Sequence, residues 1–195
     1  MTNRSQFLLN FVFAALLLSA ASPALSQVPQ AARKGAGSSL VVGAGFADYD
    51  TNWSGRLGGP TAWADWNFRR GPSLLHGLGI EAEGRDLNYA RTGGVPNLRM
   101  DTGEGGLIYT LRQNHRLHPY GKFLLGLGSI DFTIRGYPNY KHDTRTVYAP
   151  GGGVEFRALG NIWVRGDYEY QFWPDLVHSH ALNPQGFTIG LSYHF

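Results

Sequence analysis

The ionisable side chains of this sequence are few and regularly spaced. Asp65, Glu81, Glu83, Arg85, Lys122, Glu155, Arg157, Arg165, Asp167 and Glu169 fall in short alternating segments, most of them two residues from another member of the set. In an extended chain, successive side chains point to opposite faces, so residues two apart share a face. Both signs are present in near balance. Gathered in one interior, these groups should pair and hydrogen-bond, because a buried charge without a partner is costly. Two chemistries follow. One is a salt-bridged plug; the other is an ion path in which Arg165 or Lys122 exchanges carboxylate partners.

A second candidate is Asp175 with His178-Ser179-His180. A His-x-His pair suits a metal ion, and a His, Ser and acid set suits acyl transfer. A solvated polar loop accounts for the same residues, so no catalytic, cofactor-binding or metal-ligating residue is assigned. His115 and His118 with Arg112 and Arg116 make a basic turn, read as lying near anionic headgroups. The absence of cysteine excludes disulfides, a lipoprotein anchor, thiolate zinc sites and Cys nucleophiles. The formal charge of +3 is scattered between segments rather than clustered, which gives no footprint for nucleic acid in an exported chain.

Export follows from the first residues. Arg4, the apolar run from Phe7 to Leu18 and the small-residue stretch ending Ala24-Leu25-Ser26 read as a secretory signal peptide over residues 1–26. The apolar run is shorter than the ~20 residues a helix needs to cross a bilayer. Residues 27–37, with Pro, Lys and Gly, read as a short periplasmic leader, and residues 38–195 as one domain. That domain is rich in glycine (27 in the chain) and aromatics (13%), a composition foreign to helical bundles and to disordered chains.

Eight strand candidates follow: 40–49, 61–68, 75–85, 98–111, 120–130, 146–158, 162–173 and 183–195. Leu40, Val42, Ala44 and Phe46 share the apolar face of the first. In the second, Ala62, Ala64, Trp66 and Phe68 oppose Thr61, Trp63, Asp65 and Asn67; in the third, Leu78, Ile80 and Ala82 oppose Glu81, Glu83 and Arg85. The fifth sets Phe123, Leu125 and Leu127 against Lys122, and the sixth sets Val154 and Phe156 against Glu155 and Arg157. The seventh alternates without a break from Ile162 to Trp173. The fourth is irregular: if Leu107, Tyr109 and Leu111 face outward, strict alternation turns Arg99 and Asp101 outward too. A bulge among Gly103, Gly105 and Gly106 would resolve the conflict, and the register stays open.

Short turns follow the even strands, while longer segments (50–60, 86–97, 131–145 and 174–182) follow the odd ones. Short periplasmic turns and longer outer loops are the pattern of an outer-membrane barrel with both termini in the periplasm. Closure leaves no strand edge exposed to lipid. Aromatics gather near both strand ends: Trp66, Phe68, Tyr109, Tyr193 and Phe195 at one, Tyr49, Phe132, Tyr148 and Phe172 at the other. Paired girdles of this kind mark membrane interfaces. A soluble lipocalin-like barrel is the alternative, with apolar residues inside and charges outside.

The final segment is the most specific. Phe187, Ile189, Leu191, Tyr193 and Phe195 occupy one face, opposite Gly186, Thr188, Gly190, Ser192 and His194. With the signal peptide, strand count and loop asymmetry, this aromatic ending resembles the small eight-stranded bacterial outer-membrane barrels of the OmpA transmembrane-domain and OmpX type. The resemblance implies an all-β, antiparallel up-and-down transmembrane barrel in the outer membrane, among outer-membrane lipid and lipopolysaccharide, with no cofactor and a monomeric state. It implies that Ile189, Leu191, Tyr193 and Phe195 are an assembly signal read by the barrel assembly machinery. The family holds anchors, adhesins, small channels and a few enzymes. The reading adopted is a non-enzymatic barrel with a structural or surface-interaction role, offering Asn88–Arg91 and Tyr137–Tyr140 to an extracellular ligand. A small ion-conducting or gated porin-like channel is the alternative. A lipid A-modifying enzyme comes last, because the deacylases of this family carry His-x-Ser and position 180 here is His.

Overall fold

Period-two alternation over most of the chain produces one closed sheet. The computed structural model describes residues 38–52, 55–68, 77–92, 98–111, 116–131, 142–176 and 180–195. The expectations for the signal peptide, leader and Tyr137–Tyr140 lie outside these residues. The strands are β1 (Ser38–Asp50), β2 (Arg56–Phe68), β3 (Leu78–Leu87), β4 (Tyr89–Thr92), β5 (Arg99–Thr110), β6 (Leu117–Asp131), β7 (His142–Leu159), β8 (Ile162–Tyr170), β9 (Trp173–Leu176), β10 (His180–Leu182) and β11 (Gln185–His194). Among the described residues there is no helix. Eight strands, in the order β1-β2-β3-β5-β6-β7-β8-β11, form an antiparallel up-and-down barrel, which β11 closes by pairing with β1 from Val41↔His194 to Asp50↔Gln185. Phe195 extends the seam, its N–H donating to the Leu40 carbonyl at 3.0 Å. The tight Gly160-Asn161 turn, with Gly160 at φ 54°, lies at the same end of the barrel as Ser38 and Phe195. This is the turn end; the opposite end is the loop end.

Three features differ from the sequence expectation. First, β5 carries no bulge. Its pairing with β3 runs unbroken from Leu87↔Met100 to Leu78↔Tyr109, and with β6 from Arg99↔Asp131 to Thr110↔Tyr120. Arg99 and Asp101 do face outward, at the loop end, where Arg99 pairs with Asp86 at 3.2 Å and Asp101 at 3.0 Å. Second, β2 begins at Arg56, so the first outer connection is short. Gly58-Gly59-Pro60, expected in the outer segment 50–60, lies in the strand, packed so closely that a Cβ on Gly59 would strike the Asp86 carbonyl. Pro60 falls where the β2 ladder with β3 stops and that with β4 starts, so its missing N–H costs no ladder bond there. Third, Tyr49 is not part of a girdle. It points inward, fully buried, and donates its hydroxyl to Glu169 Oε1 at 3.2 Å. Phe132 lies outside the described residues.

Candidate functional site

The barrel interior is stacked in three layers. Nearest the loop end is an apolar plug. Tyr49, Leu57, Leu87, Met100, Ile130, Val147 and Trp173 point inward there and are shielded from solvent. Trp173 closes over β6 at Gly128, where a Cβ would overlap its indole. Its Nε1–H donates to Gln171 Oε1 at 3.0 Å, so the indole is buried without losing its hydrogen bond.

Below the plug lies the charged layer, built around two arginines and a lysine. Arg85 contacts Glu83 at 2.7 Å, Glu104 at 3.2 Å and Glu169 at 2.8 Å. Arg165 contacts Asp65 at 3.3 Å, Glu81 at 2.8 Å and Asp167 at 3.0 Å. Lys122 joins the two groups, with Nζ 2.6 Å from Glu83, 3.0 Å from Glu169, 3.3 Å from Glu81 and 3.6 Å from Asp167. All of these side chains are buried. The guanidiniums also lie over aromatic faces: Arg85 over Tyr49 at 5.1 Å, and Arg165 over Trp63 at 4.8 Å and Tyr120 at 4.6 Å. Such contacts favour desolvated cations. Trp63 has room to lie there because β1 and β11 present Gly43 and Gly190 beneath it.

The third layer is an open vestibule at the turn end, a cavity of about 280 Å³ that reaches Ser39, Asp65, Asn67, Glu155, Trp163 and His194. His118, Trp163 and His194 are stacked, with centroids 4.4 Å and 4.6 Å apart. His118 therefore turns inward and does not face headgroups; Arg112 and His115 lie outside the described residues.

Nine of the ten charges selected from sequence are buried in the interior. Glu155 sits in the vestibule wall, accepting from Ser192 Oγ at 3.3 Å. Arg157 is the exception. It lies exposed at the mouth, donating to the Gly160 carbonyl at 2.7 Å, because β7 shifts register between Arg157 and Leu159 as the chain turns. Glu104, Gln171, Tyr49 and Tyr120 join the network although none was selected. Glu104 was hidden by the unresolved register of its strand. The two tyrosines were readable only as aromatics, although Tyr120 donates to Asp167 Oδ2 at 2.8 Å.

Of the histidine loop, His178 and Ser179 lie outside the described residues. Another Asp, His and hydroxyl set stands on the outer surface near the loop end. His142 Nδ1 is 2.6 Å from Asp131 Oδ1, and its Nε2 is 3.1 Å from Thr144 Oγ1. Ser129 Oγ is 3.4 Å from both ring nitrogens and so lines up with neither. The set is solvated, its His and Asp side chains 60% and 44% exposed, and the vestibule is at the other end. Among the described residues, no three His, Cys, Asp or Glu are placed to hold a metal ion.

Outside, the turn end and middle of the barrel are apolar. Trp66, Leu107, Phe123, Leu125, Ile189 and Leu191 are exposed there, and Ile189 is 65% accessible. Near the loop end the outward positions become Asp48, Arg56, Asp86, Arg99, Asp101, Asp131 and His142, joined in pairs such as Asp48–Arg56 at 3.1 Å.

A family model described as the outer membrane protein β-barrel domain matches residues 12–195. Among solved structures, Neisserial surface protein A is 14% identical and aligns over 82% of this chain and 98% of its own, with a TM-score of 0.60. A major outer membrane protein of Thermus thermophilus is 11% identical over 81% of this chain and 99% of its own, with a TM-score of 0.55. The attachment invasion locus protein Ail of Yersinia pestis, solved with the heparin analogue sucrose octasulfate, is 17% identical over 81% and 97%, with a TM-score of 0.51. At these identities the likeness is one of fold. No curated protein sequence matches the chain.

Proposed function

Because the chain belongs to the outer membrane protein β-barrel domain family, we propose that it serves as a plugged barrel with a structural or surface-interaction role, neither catalysing a reaction nor conducting ions. It resides in the bacterial outer membrane, among lipid and lipopolysaccharide, and crosses it with eight strands. The observation that carries the proposal is the double obstruction of the interior. Ions leaving the vestibule meet a layer of buried, cross-linked ion pairs and then an apolar plug led by Leu57, Leu87, Met100, Ile130 and Trp173. Eight strands enclose only enough space for side chains to fill, and these side chains fill it.

The loop end, which rises beyond the apolar band with charged residues on its outside, is the surface offered to an extracellular ligand. The exposed face of β11, with Ile189, Leu191, Tyr193 and Phe195 in a row, is the surface offered to the barrel assembly machinery, and the folded barrel works as a monomer. The channel reading places ion passage in partner exchange at Lys122, which already touches four carboxylates. Planar-bilayer recording of the refolded protein separates the two. Silence across applied voltages is expected; a reproducible unitary conductance that changes in Lys122→Met would replace this proposal with the channel.

A further inference from the structure

The buried interior holds more carboxyl groups than cations. Seven buried carboxylates, those of Asp65, Glu81, Glu83, Glu104, Glu155, Asp167 and Glu169, face three buried cations, Arg85, Lys122 and Arg165. Part of this excess borders the vestibule, whose lining also includes Arg157, His118 and His194. Asp65 is buried to 2% exposure and lies across the β2–β3 ladder from Glu81, with both carboxylates reaching for Arg165. Arg165 occupies Asp65 Oδ2, while Asp65 Oδ1 has no hydrogen-bond partner although it is shielded in the vestibule wall. Asn67, two residues along the same face and 5% exposed, presents a second unpartnered acceptor, Oδ1, to the same cavity. Glu155 supplies a third carbonyl-type acceptor in the wall.

Buried acceptors normally find partners, and unmet ones point to a missing donor. An ammonium group brings three donors and one positive charge, and it accepts nothing. That matches what Asp65 and Asn67 lack, while Glu155, which accepts from Ser192 and lies 3.5 Å from His194 Nε2, adds negative charge beside them. A bare metal ion fits less well, because no three metal-ligating side chains converge among the described residues. Trp163, stacked between His118 and His194, lines the same cavity and leaves the edge of its indole to a short aliphatic stem. The mouth opens at the turn end, toward the periplasm. We propose that this vestibule is a binding site for a primary ammonium group, the head of a small aliphatic amine entering from the periplasm. The site is independent of the loop end and of whether the barrel conducts.

The test uses the refolded full barrel in non-ionic micelles, with butylamine as the probe and butyltrimethylammonium as a comparator of equal charge and no N–H. The readout is the Trp163 indole N–H resonance, identified by its loss in Trp163→Phe. Butylamine should shift it saturably, with a dissociation constant of about a millimolar or tighter. The trimethylated analogue should bind at least tenfold more weakly, as should butylamine to Asp65→Asn. If Asp65→Asn does not fold, shown by a band that does not shift on heating, Glu155→Gln takes its place. A linear, unsaturated response would overturn the proposal. So would equal binding of the two amines, or affinity unchanged in the folded variants.

Discussion

Lys122→Met tests the charged layer most directly, because Lys122 is the only cation of the described network that touches both arginine-centred groups. At an effective dielectric constant of about 20, one pair at ~3 Å is worth about 5 kcal/mol before desolvation is counted. Breaking a buried pair typically costs about 3–5 kcal/mol net, since the partner's charge is left uncompensated. Here the partners are not abandoned. Glu83 and Glu169 keep Arg85, and Glu81 and Asp167 keep Arg165. Lys122→Met should therefore fall at the low end, about 3 kcal/mol.

Arg85→Met should cost more, about 5 kcal/mol, because Glu104 would keep only the neutral Gln171, whose Nε2 lies at 2.8 Å. Arg56→Met removes a pair of similar length, 3.1 Å to Asp48, but its side chain is 40% exposed. Screening holds that loss to about 0–1 kcal/mol. Equilibrium urea unfolding in lipid vesicles, followed by the heat-modifiable gel shift, gives all three values. The reasoning fails if Lys122→Met costs as much as Arg85→Met, or if both lie within about 1 kcal/mol of the parent protein.

Two further outcomes are expected. Leu125 and Ser129 lie on the same outward face of β6, four residues apart, on opposite sides of the boundary where outward residues turn polar. Leu125→Arg should cost about 2–4 kcal/mol and Ser129→Arg about 0–1 in the same vesicle assay; equal costs would place the boundary elsewhere. Deleting Phe195 removes one hydrogen bond to Leu40 and a ring that packs on Tyr193 at 4.8 Å. Unassisted refolding should lose only about 1 kcal/mol of stability, while insertion in cells falls severalfold. Equal loss in both settings would assign Phe195 a structural role and remove it from assembly.

How far the sequence could be read depended on what each strand alternated between. On β2, β3, β6, β8 and β11 the charged and apolar residues were two apart, and the faces assigned to Asp65, Glu81, Lys122, Arg165 and Ile189 are those observed. Even Trp163 to Trp173 keeps its inward facing, although the ladder breaks near Gln171 and the chain passes into β9. On β5 the signal failed, because glycines at 103, 105 and 106 have no side chain to declare a face, and Glu104 was lost among them. Glycine was equally opaque at 58 and 59, which were expected in the outer segment 50–60 and lie in a closely packed strand.

The apolar plug was illegible for a different reason. On β6, Phe123, Leu125 and Leu127 are apolar at odd positions, then Ile130 is apolar at an even one while Ser129 and Asp131 are polar. On β1 the apolar phase passes from Leu40, Val42, Ala44 and Phe46 to Ala47 and Tyr49. A phase change of this kind ordinarily signals a bulge, which shifts the facing by one residue. Yet β6 pairs with β7 without a shift from Leu117↔Phe156 to Asp131↔His142, and β1 with β2 from Ser38↔Phe68 to Asp50↔Arg56. The strands do not slip; their surroundings change. Within the apolar band, lipid takes the apolar face and the interior takes the charges. Beyond it water bathes the outside, and the interior must be apolar to be dry, as in a soluble barrel. The soluble lipocalin-like alternative does not hold for the barrel as a whole; only its apolar-inside facing appears, above the apolar band, on the strands of an outer-membrane barrel. A phase flip that recurs on separate strands, here β1 and β6, without a register shift therefore marks where a barrel leaves the membrane. Here it lies above the height at which the charged layer gives way to its plug, since inward Leu124 and Ala149 already belong to the plug beside outward Leu125 and Tyr148.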